Sequence, residues 1–94
     1  MGTDSIKFEK KFPRLFGKDH GVLTNSGSSS NLLMMSALKS KRSHALPKGT
    51  KVITPVAGFP TTLNPIIQTG FEPVFIDIEL ETLNLKVDEL EEAA

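Results

Sequence analysis

Residues 51–78 read KVITPVAGFPTTLNPIIQTGFEPVFIDI, and this stretch decides the fold class. Two short apolar runs, at residues 51–55 and 73–78, flank a segment whose apolar residues recur at helical spacing. Pro65 limits that helix to a start near Thr61, because proline is tolerated only close to the first turn. The order strand, helix, strand predicts a parallel pair of strands, and the nearly unbroken apolar run at 73–78 is typical of a strand covered on both faces.

The same alternation continues towards both ends of the chain. A third apolar run at residues 22–25 ends in the turn Ser-Gly-Ser-Ser-Ser, which is the pattern of a strand that leads into a helix. Apolar periodicity predicts four helices: residues 5–16 with an interruption at Pro13, residue 29 to about Arg42, residues 61 to 68, and residue 87 onward. Three short strands and about four helices in this order indicate an α/β fold with a parallel sheet.

Composition excludes several classes of function. The chain has 94 residues, enough for one domain, and its 11 basic residues balance 11 acidic ones, so no net field favours nucleic acid or an anionic membrane. It has no cysteine, which excludes disulfides and cysteine-ligated metal from these residues and fits a cytoplasmic protein. The N-terminus lacks the apolar core of a signal peptide, and no stretch approaches the roughly 18 apolar residues of a membrane span. We expect a cytoplasmic protein that binds no nucleic acid, membrane or metal.

The strongest local feature is the turn Ser26-Gly27-Ser28-Ser29-Ser30. At a helix start, free backbone amides and the positive end of the helix dipole converge, glycine lets an anion approach the backbone, and serine hydroxyls add donors. This pattern favours a phosphate-binding site. The alternative is that Ser26 or Ser28 simply caps the helix and that the rest is a flexible turn.

A second candidate position follows the strand at residues 51–55. Phe59, after Gly58, would lie at the carboxyl end of the sheet, where open α/β sheets place ligands, and its ring could stack on a planar group. The alternative is a core phenylalanine, or one that forms a hydrophobic staple at a helix entrance. Two other groups of polar residues are expected to be surface features: the histidines His20 and His44, and the carboxylates Asp77, Glu79 and Glu81.

Three blocks of the sequence resemble a known family. They are NSGSSSNLL at residues 25–33, PKGTKVIT at residues 47–54 and AGFPTTLNPIIQ at residues 57–68. Together they resemble the DegT-type sugar aminotransferase and dehydrase family, and the third block is most similar to its branch of CDP-4-keto-6-deoxy-D-glucose 3-dehydrases. The resemblance runs from about Phe8 to the C-terminus.

The resemblance implies part of the large domain of an aspartate-aminotransferase (fold-type I) fold, with pyridoxal or pyridoxamine phosphate bound between two subunits. The family's phosphate-binding Gly-Ser/Thr pair falls on Gly27 and Ser28, with Ser29 next in the turn, and its ring-stacking aromatic residue falls on Phe59. The implied reaction is dehydration at C3 of a nucleotide-linked 4-keto-6-deoxy sugar in lipopolysaccharide O-antigen biosynthesis, by a homodimer that works with a reductase. A sugar aminotransferase of the same family is the alternative.

The family's other functional residues would fall beyond residue 94. They are the Schiff-base lysine, or the histidine that replaces it in the 3-dehydrases, the aspartate that pairs with the pyridine nitrogen, and the cysteines of an iron–sulfur cluster. The sequence is therefore expected to be an N-terminal fragment, one incomplete domain over residues 1–94, without catalytic residues of its own. A hypothesis of another class treats the chain as a stand-alone phosphate-binding or interaction module.

Overall fold

A parallel strand–helix–strand unit lies at residues 51–76 of the computed structural model, as the sequence predicts. The structure describes residues 2–42 and 44–94. Its helices are α1 (Thr3–Lys11), α2 (Gly27–Lys39), α3 (Pro60–Gln68) and α4 (Leu90–Ala93), its strands are β1 (Lys51–Pro55) and β2 (Glu72–Ile76), and short 3₁₀ helices cover Pro13–Phe16 and Val87–Glu89. No helix within these two ranges is long and apolar enough to cross a membrane.

Residues 1–30 and 31–94 form two compact units. In the first unit, α1 ends before Pro13, which cannot continue the helical hydrogen bonding and instead begins the 3₁₀ turn. Gly17 closes that turn in the left-handed conformation, with φ 66°, which glycine adopts without a steric cost. The predicted interruption of the first helix at Pro13 is confirmed.

The strand predicted at residues 22–25 is absent, and this part of the prediction is wrong. Strand pairing among the described residues is confined to β1 with β2 and to an isolated bridge after β2. The N–H of Leu23 instead donates to the carboxylate of Glu9, at 2.8 Å. A strand needs a partner for its backbone groups, and residues 2–42 and 44–94 supply none for this segment, so the sheet has two strands rather than three.

The second unit is built around β1, α3 and β2. The strands pair in parallel register, from Lys51 opposite Glu72 to Pro55 opposite Ile76. Helix α3 begins with a proline and ends before Gly70, whose φ of 80° is left-handed, so the predicted bounds of this helix are confirmed. The core lies where α3 packs on the sheet, and its buried apolar side chains are Pro65, Ile66, Phe71 and Ile76.

Two other element boundaries differ from the sequence prediction. Helix α2 begins two residues before Ser29 and ends before Arg42, because the chain turns back and the N–H of Leu46 donates to the carbonyl of Leu38. Strand β2 is shorter than the predicted strand, and Phe75 within it is 49% exposed. One side of this strand is therefore left uncovered by the described residues, although its apolar run is typical of a strand covered on both faces.

A loop of residues 77–86 connects β2 to the last helix, which begins at Val87 as predicted, first as a 3₁₀ turn and then as α4. The Nζ atom of Lys86 lies 2.9 Å from Oε1 of Glu89, and the N–H of Asp77 donates a long hydrogen bond of 3.4 Å to the same carboxylate. The hydrogen bond from Lys86 is the main reason that the pKa of Glu89 is lowered. The same bond raises the pKa of Lys86.

The ion pair between Lys86 and Glu89 is expected to stabilise the fold only between a lower and an upper pH limit. The folded pKa of Glu89 lies below its unfolded value, so its contribution is present above the unfolded pKa and is lost as the pH falls through the folded one. The folded pKa of Lys86 lies above its unfolded value, so its contribution is present below the unfolded pKa and is lost as the pH rises through the folded one. Because the pair is exposed, both effects on stability are small.

NMR titration of the variant Glu89→Gln checks this pair directly. We expect the pKa of Lys86 to return towards its ordinary value, because its hydrogen-bonded and charged partner is gone. Asp88→Asn is the matched control, since Asp88 acts on Lys86 only through a weak charge interaction. An unchanged Lys86 pKa in Glu89→Gln contradicts the assigned pairing.

Candidate functional site

The first turn of α2 is held by a serine cap. The N–H of Ser29 donates to Oγ of Ser26 at 3.2 Å, and the N–H of Ser30 donates to the carbonyl of Ser26 at 3.1 Å. Ser26 is therefore the N-cap residue, which confirms the capping interpretation at this position. The cap uses the amides of Ser29 and Ser30 and leaves those of Gly27 and Ser28 without helical partners.

These two free amides mark the end of α2 that attracts anions. The helix has 13 residues, no acidic side chain lies in its first turn, and both Gly27 and Ser28 are exposed. A partial positive charge and two N–H donors at the same point favour a negatively charged ligand such as a phosphate. The geometry suits the phosphate-binding role of this turn, which stays a prediction.

The serine hydroxyls of this turn differ in what they already bind. Oγ of Ser29 donates to Oδ1 of Asn25 at 2.7 Å and accepts from Oγ of Ser26 at 3.1 Å. Oγ of Ser30 donates to the carbonyl of Ser26 at 3.2 Å. The hydroxyl of Ser28 makes no hydrogen bond within residues 2–42 and 44–94. Ser28 can therefore donate to a ligand at once, whereas Ser29 must first release Asn25.

Gly27 leaves open space in front of the two free amides. A Cβ atom at this position would meet no heavy atom within 4 Å, and the backbone φ of Gly27 lies outside the left-handed region. Glycine is therefore required here neither by the packing of the described residues nor by the backbone conformation. The missing side chain instead provides room for a group that approaches the helix N-terminus.

Phe59 lies in the second unit, at the carboxyl ends of β1 and β2. It immediately precedes α3 and its side chain is 74% exposed, so the alternative interpretation as a core phenylalanine is wrong. The ring borders a cavity of about 220 Å³ whose walls include Pro55, Gly58, Leu63 and Phe75. An exposed ring beside a cavity at this edge of a sheet suits stacking on a planar ligand, and that role stays a prediction.

Thr54 is a polar residue of the same cavity that sequence reasoning did not single out. Its side chain is 3% exposed, and its Oγ1 atom has no hydrogen-bond partner among the described residues. A buried hydroxyl without a partner is unfavourable, and this one lies in a residue that lines the cavity beside Phe59. Threonine is an ordinary residue in a strand, and the sequence therefore carries no signal for this feature.

The remaining polar candidates are surface features, as predicted. Both histidines are exposed, as is Glu81. Oδ1 of Asp77 accepts the N–H of Ile78 at 2.8 Å, and Oε2 of Glu79 accepts the hydroxyl of Thr82 at 3.3 Å, so these carboxylates stabilise the loop after β2. In the part of the chain that the structure describes, no three His, Asp or Glu side chains are grouped to hold a metal ion.

The predicted site residues fall in two places. Gly27, Ser28 and Ser29 share one helical turn in the first unit, and Phe59 lies in the second. Sequence reasoning missed Asn25, whose side-chain oxygen holds the hydroxyl of Ser29. The signal for it was present, because asparagine beside a helix start commonly bonds the groups of the first turn.

Comparison with known proteins decides the family. The sequence profile described as the DegT/DnrJ/EryC1/StrS aminotransferase family matches residues 1–94. The chain belongs to this family. The resemblance stated from the three sequence blocks is thereby confirmed, and the DegT-family fold applies to the whole matched range.

Several relatives of this DegT-family chain are informative. It is 46% identical over 94 residues to the dTDP-4-dehydro-2,6-dideoxy-D-glucose 3-dehydratase of Saccharopolyspora spinosa. It is 48% identical over 94 residues to the lipopolysaccharide biosynthesis protein RfbH of Salmonella typhimurium. These matches cover 98% of the chain but only 20% and 22% of the two relatives, so the chain spans about a fifth of their length.

A solved structure gives the same result for the fold. The chain is similar to the E. coli GDP-4-keto-6-deoxy-D-mannose-3-dehydratase with bound hydrated PLP, with a TM-score of 0.89 and 37% identity. The similarity covers 100% of this chain and 24% of that one. The predicted α/β fold of fold-type I is confirmed, with two strands rather than three among the described residues.

Proposed function

We propose that the protein to which this sequence belongs removes the C3 hydroxyl of a nucleotide-linked 4-keto-6-deoxy sugar, with pyridoxal or pyridoxamine phosphate as cofactor. The observation that carries the proposal is the 46% identity, over 98% of the chain, to a nucleotide-sugar 3-dehydratase. The structural relative with bound hydrated PLP supports the cofactor. The similarity to a lipopolysaccharide biosynthesis protein supports a role in making deoxysugars for that polymer.

Each of the two groups of predicted site residues suits one part of such a cofactor. The amides of Gly27 and Ser28 and the free hydroxyl of Ser28 would hold the phosphate, and Ser29 would add a donor after releasing Asn25. The open space at Gly27 would admit the phosphate oxygens. The exposed ring of Phe59 would stack on the pyridine ring.

When bound, the cofactor supplies an electron sink for the dehydration. The contribution of this chain is binding and orientation. Charge-assisted hydrogen bonds from the N-terminus of α2 would fix the phosphate, and the aromatic face of Phe59 would exclude water from one side of the planar ring. We assign no proton transfer to any residue of this chain, so its proposed site residues are cofactor-binding rather than catalytic.

We also propose a cytoplasmic homodimer that binds the cofactor between its subunits and passes its dehydrated product to a reductase. Large apolar side chains on the described surface support burial against further protein, since Leu15 is 79% and Leu80 is 87% exposed. Light scattering of the full-length protein measures the subunit number. A monomer that retains full activity would argue against the dimer.

The proposed reaction predicts loss of the C3 hydroxyl as water. We expect this loss when the full-length protein is incubated with pyridoxamine phosphate and a nucleotide-linked 4-keto-6-deoxy sugar, followed by proton NMR of the sugar ring. The alternative, a sugar aminotransferase of the same family, predicts a glutamate-dependent replacement of the C4 keto oxygen by an amino group. A 4-amino product that keeps its C3 hydroxyl contradicts the dehydratase proposal.

The N-terminus of α2 also fits a stand-alone phosphate-binding module. Two free amides and one free hydroxyl recognise a phosphate group whatever molecule carries it. Titration with inorganic phosphate and with pyridoxal phosphate separates the two functions. Equal affinities for both ligands, together with no turnover by the full-length protein, would favour the module over the enzyme.

A further inference from the structure

Helix α3 contains a proline where a hydrogen-bond donor is expected. Pro65 lies inside the helix, and its nitrogen carries no hydrogen. In an uninterrupted α-helix the N–H at this position would donate to the carbonyl of Thr61, four residues earlier. That carbonyl therefore loses its usual helical donor, and Pro65 itself is buried, which limits replacement by solvent.

A side chain from another helix supplies the missing donor. Nδ2 of Asn31, in α2, donates to the carbonyl oxygen of Thr61 at 3.2 Å across a partly buried contact. The two residues are separated by 30 positions in the sequence, so the bond fixes one helix to another. Both lie in the unit of residues 31–94, and the amide of asparagine is chemically the same kind of donor as the one that Pro65 lacks.

The hydrogen bond from Asn31 reaches the first turn of α3, which directly follows Phe59. Thr61 is the second residue of α3, and the first turn also includes the N–H of Thr62, which donates to the carbonyl of Phe59 at 2.9 Å. Phe59 is 74% exposed, and its ring makes no ring–ring contact with another aromatic side chain among the described residues. The backbone of this turn therefore sets where the Phe59 side chain leaves the chain, beside the cavity that the ring borders.

We propose that Asn31 is a positioning residue, which holds the first turn of α3, and through it the ring of Phe59, by replacing the donor that Pro65 lacks. The part of this inference that concerns cofactor binding rests on the proposed function. The part that concerns the turn itself does not. Asn31 acts through its hydrogen bond to the carbonyl of Thr61.

The test is a double-mutant cycle in the full-length protein with Asn31→Ala, Pro65→Ala and their combination. In Asn31→Ala we expect the amides of residues 62–64, 66 and 67 to exchange about tenfold faster, because a partly buried carbonyl is left unpaired. Pro65→Ala restores an N–H that can reach Thr61, so adding Asn31→Ala to it should change exchange by less than about twofold. Ser36→Ala is the matched control, since its hydroxyl bonds only the carbonyl of Leu32 in the same helix.

A second variant keeps the test decisive if Pro65→Ala folds poorly. Asn31→Asp keeps the size of the side chain but replaces its donor with a negatively charged acceptor that repels the carbonyl of Thr61, so exchange should be at least as fast as in Asn31→Ala. Unchanged exchange at residues 62–64, 66 and 67 in both Asn31 variants overturns the proposal. Equal acceleration with and without Pro65→Ala also overturns it, because Asn31 would then act through something other than the missing donor.

Cofactor binding gives an independent readout. If Asn31 positions Phe59, Asn31→Ala should raise the dissociation constant of pyridoxal phosphate by about threefold and alter its absorption spectrum, and adding it to Phe59→Ala should have no further effect. An additional loss in the Phe59→Ala background contradicts positioning through that ring. If Phe59→Ala alone leaves affinity unchanged, the proposed stacking fails, while the exchange data still decide whether Asn31 holds the turn.

Discussion

Replacement of Gly27 by alanine is expected to weaken the binding of pyridoxal phosphate roughly tenfold or more while leaving the fold intact. The added methyl group meets no heavy atom of the described chain within 4 Å, and φ is not left-handed, so no strain follows. Any loss of affinity therefore comes from the space that the ligand needs at the free amides.

Two companion variants test the other contacts of the same site. Ser28→Ala removes the one hydroxyl of the turn that is already free to donate, and loss of a hydrogen bond to a charged phosphate is worth about 1.5–3 kcal/mol, or roughly tenfold to a hundredfold in affinity. Phe59→Ala removes ring stacking, with an expected loss of about 0.5–1.5 kcal/mol. Ser36→Ala, in the same helix, serves as the control.

Equilibrium dialysis and the absorption spectrum of the bound cofactor measure these affinities, and thermal unfolding without cofactor measures the fold. We expect the three site variants to differ from the parent in affinity but not in unfolding temperature. If Gly27→Ala, Ser28→Ala and Phe59→Ala all bind as tightly as the parent protein, the site assignments are wrong. A parallel loss in Ser36→Ala would show that the effect is not specific to the turn.

The parts of the fold that sequence could predict are those fixed by neighbouring residues. Pro65 and Gly70 set the bounds of α3 through backbone sterics, and Pro13 interrupts the first helix for the same reason. The strand predicted at residues 22–25 failed because a strand depends on a partner distant in sequence, and apolar runs do not report whether that partner is present.

The same contrast between local and long-range interactions applies to the candidate site. The free amides of Gly27 and Ser28 follow from any helix start, so sequence alone located the turn. Which serine hydroxyl is free could not be predicted, because that depends on the side chain of Asn25 and its bond to Ser29. The unpaired hydroxyl of Thr54 likewise depends on what surrounds it after folding, which no local pattern encodes.

The 94 residues on their own are expected to be catalytically inert and to unfold without a sharp transition. Four apolar side chains are buried among the described residues of the second unit, namely Pro65, Ile66, Phe71 and Ile76, and the described part of the first unit buries only Pro13. Large apolar side chains such as those of Leu15, Val22 and Phe75 remain exposed. A chain of this size has roughly 5 kcal/mol of net stability at best, so such a thin core leaves little or none.

Denaturant melts and amide exchange of the isolated chain check this last expectation. We expect broad melting, self-association through the exposed apolar residues, and rapid exchange at residues 22–25, where the N–H of Leu23 bonds only the exposed carboxylate of Glu9. The variant Ile66→Ala distinguishes a weakly stable fold from an unfolded chain. Where a cooperative core exists, removing a buried isoleucine lowers the free energy of unfolding by about 2–5 kcal/mol. A clear shift of the melt in that variant, or a sharp transition with protected amides at residues 22–25, would show that the chain folds independently and would restore the hypothesis of a stand-alone module.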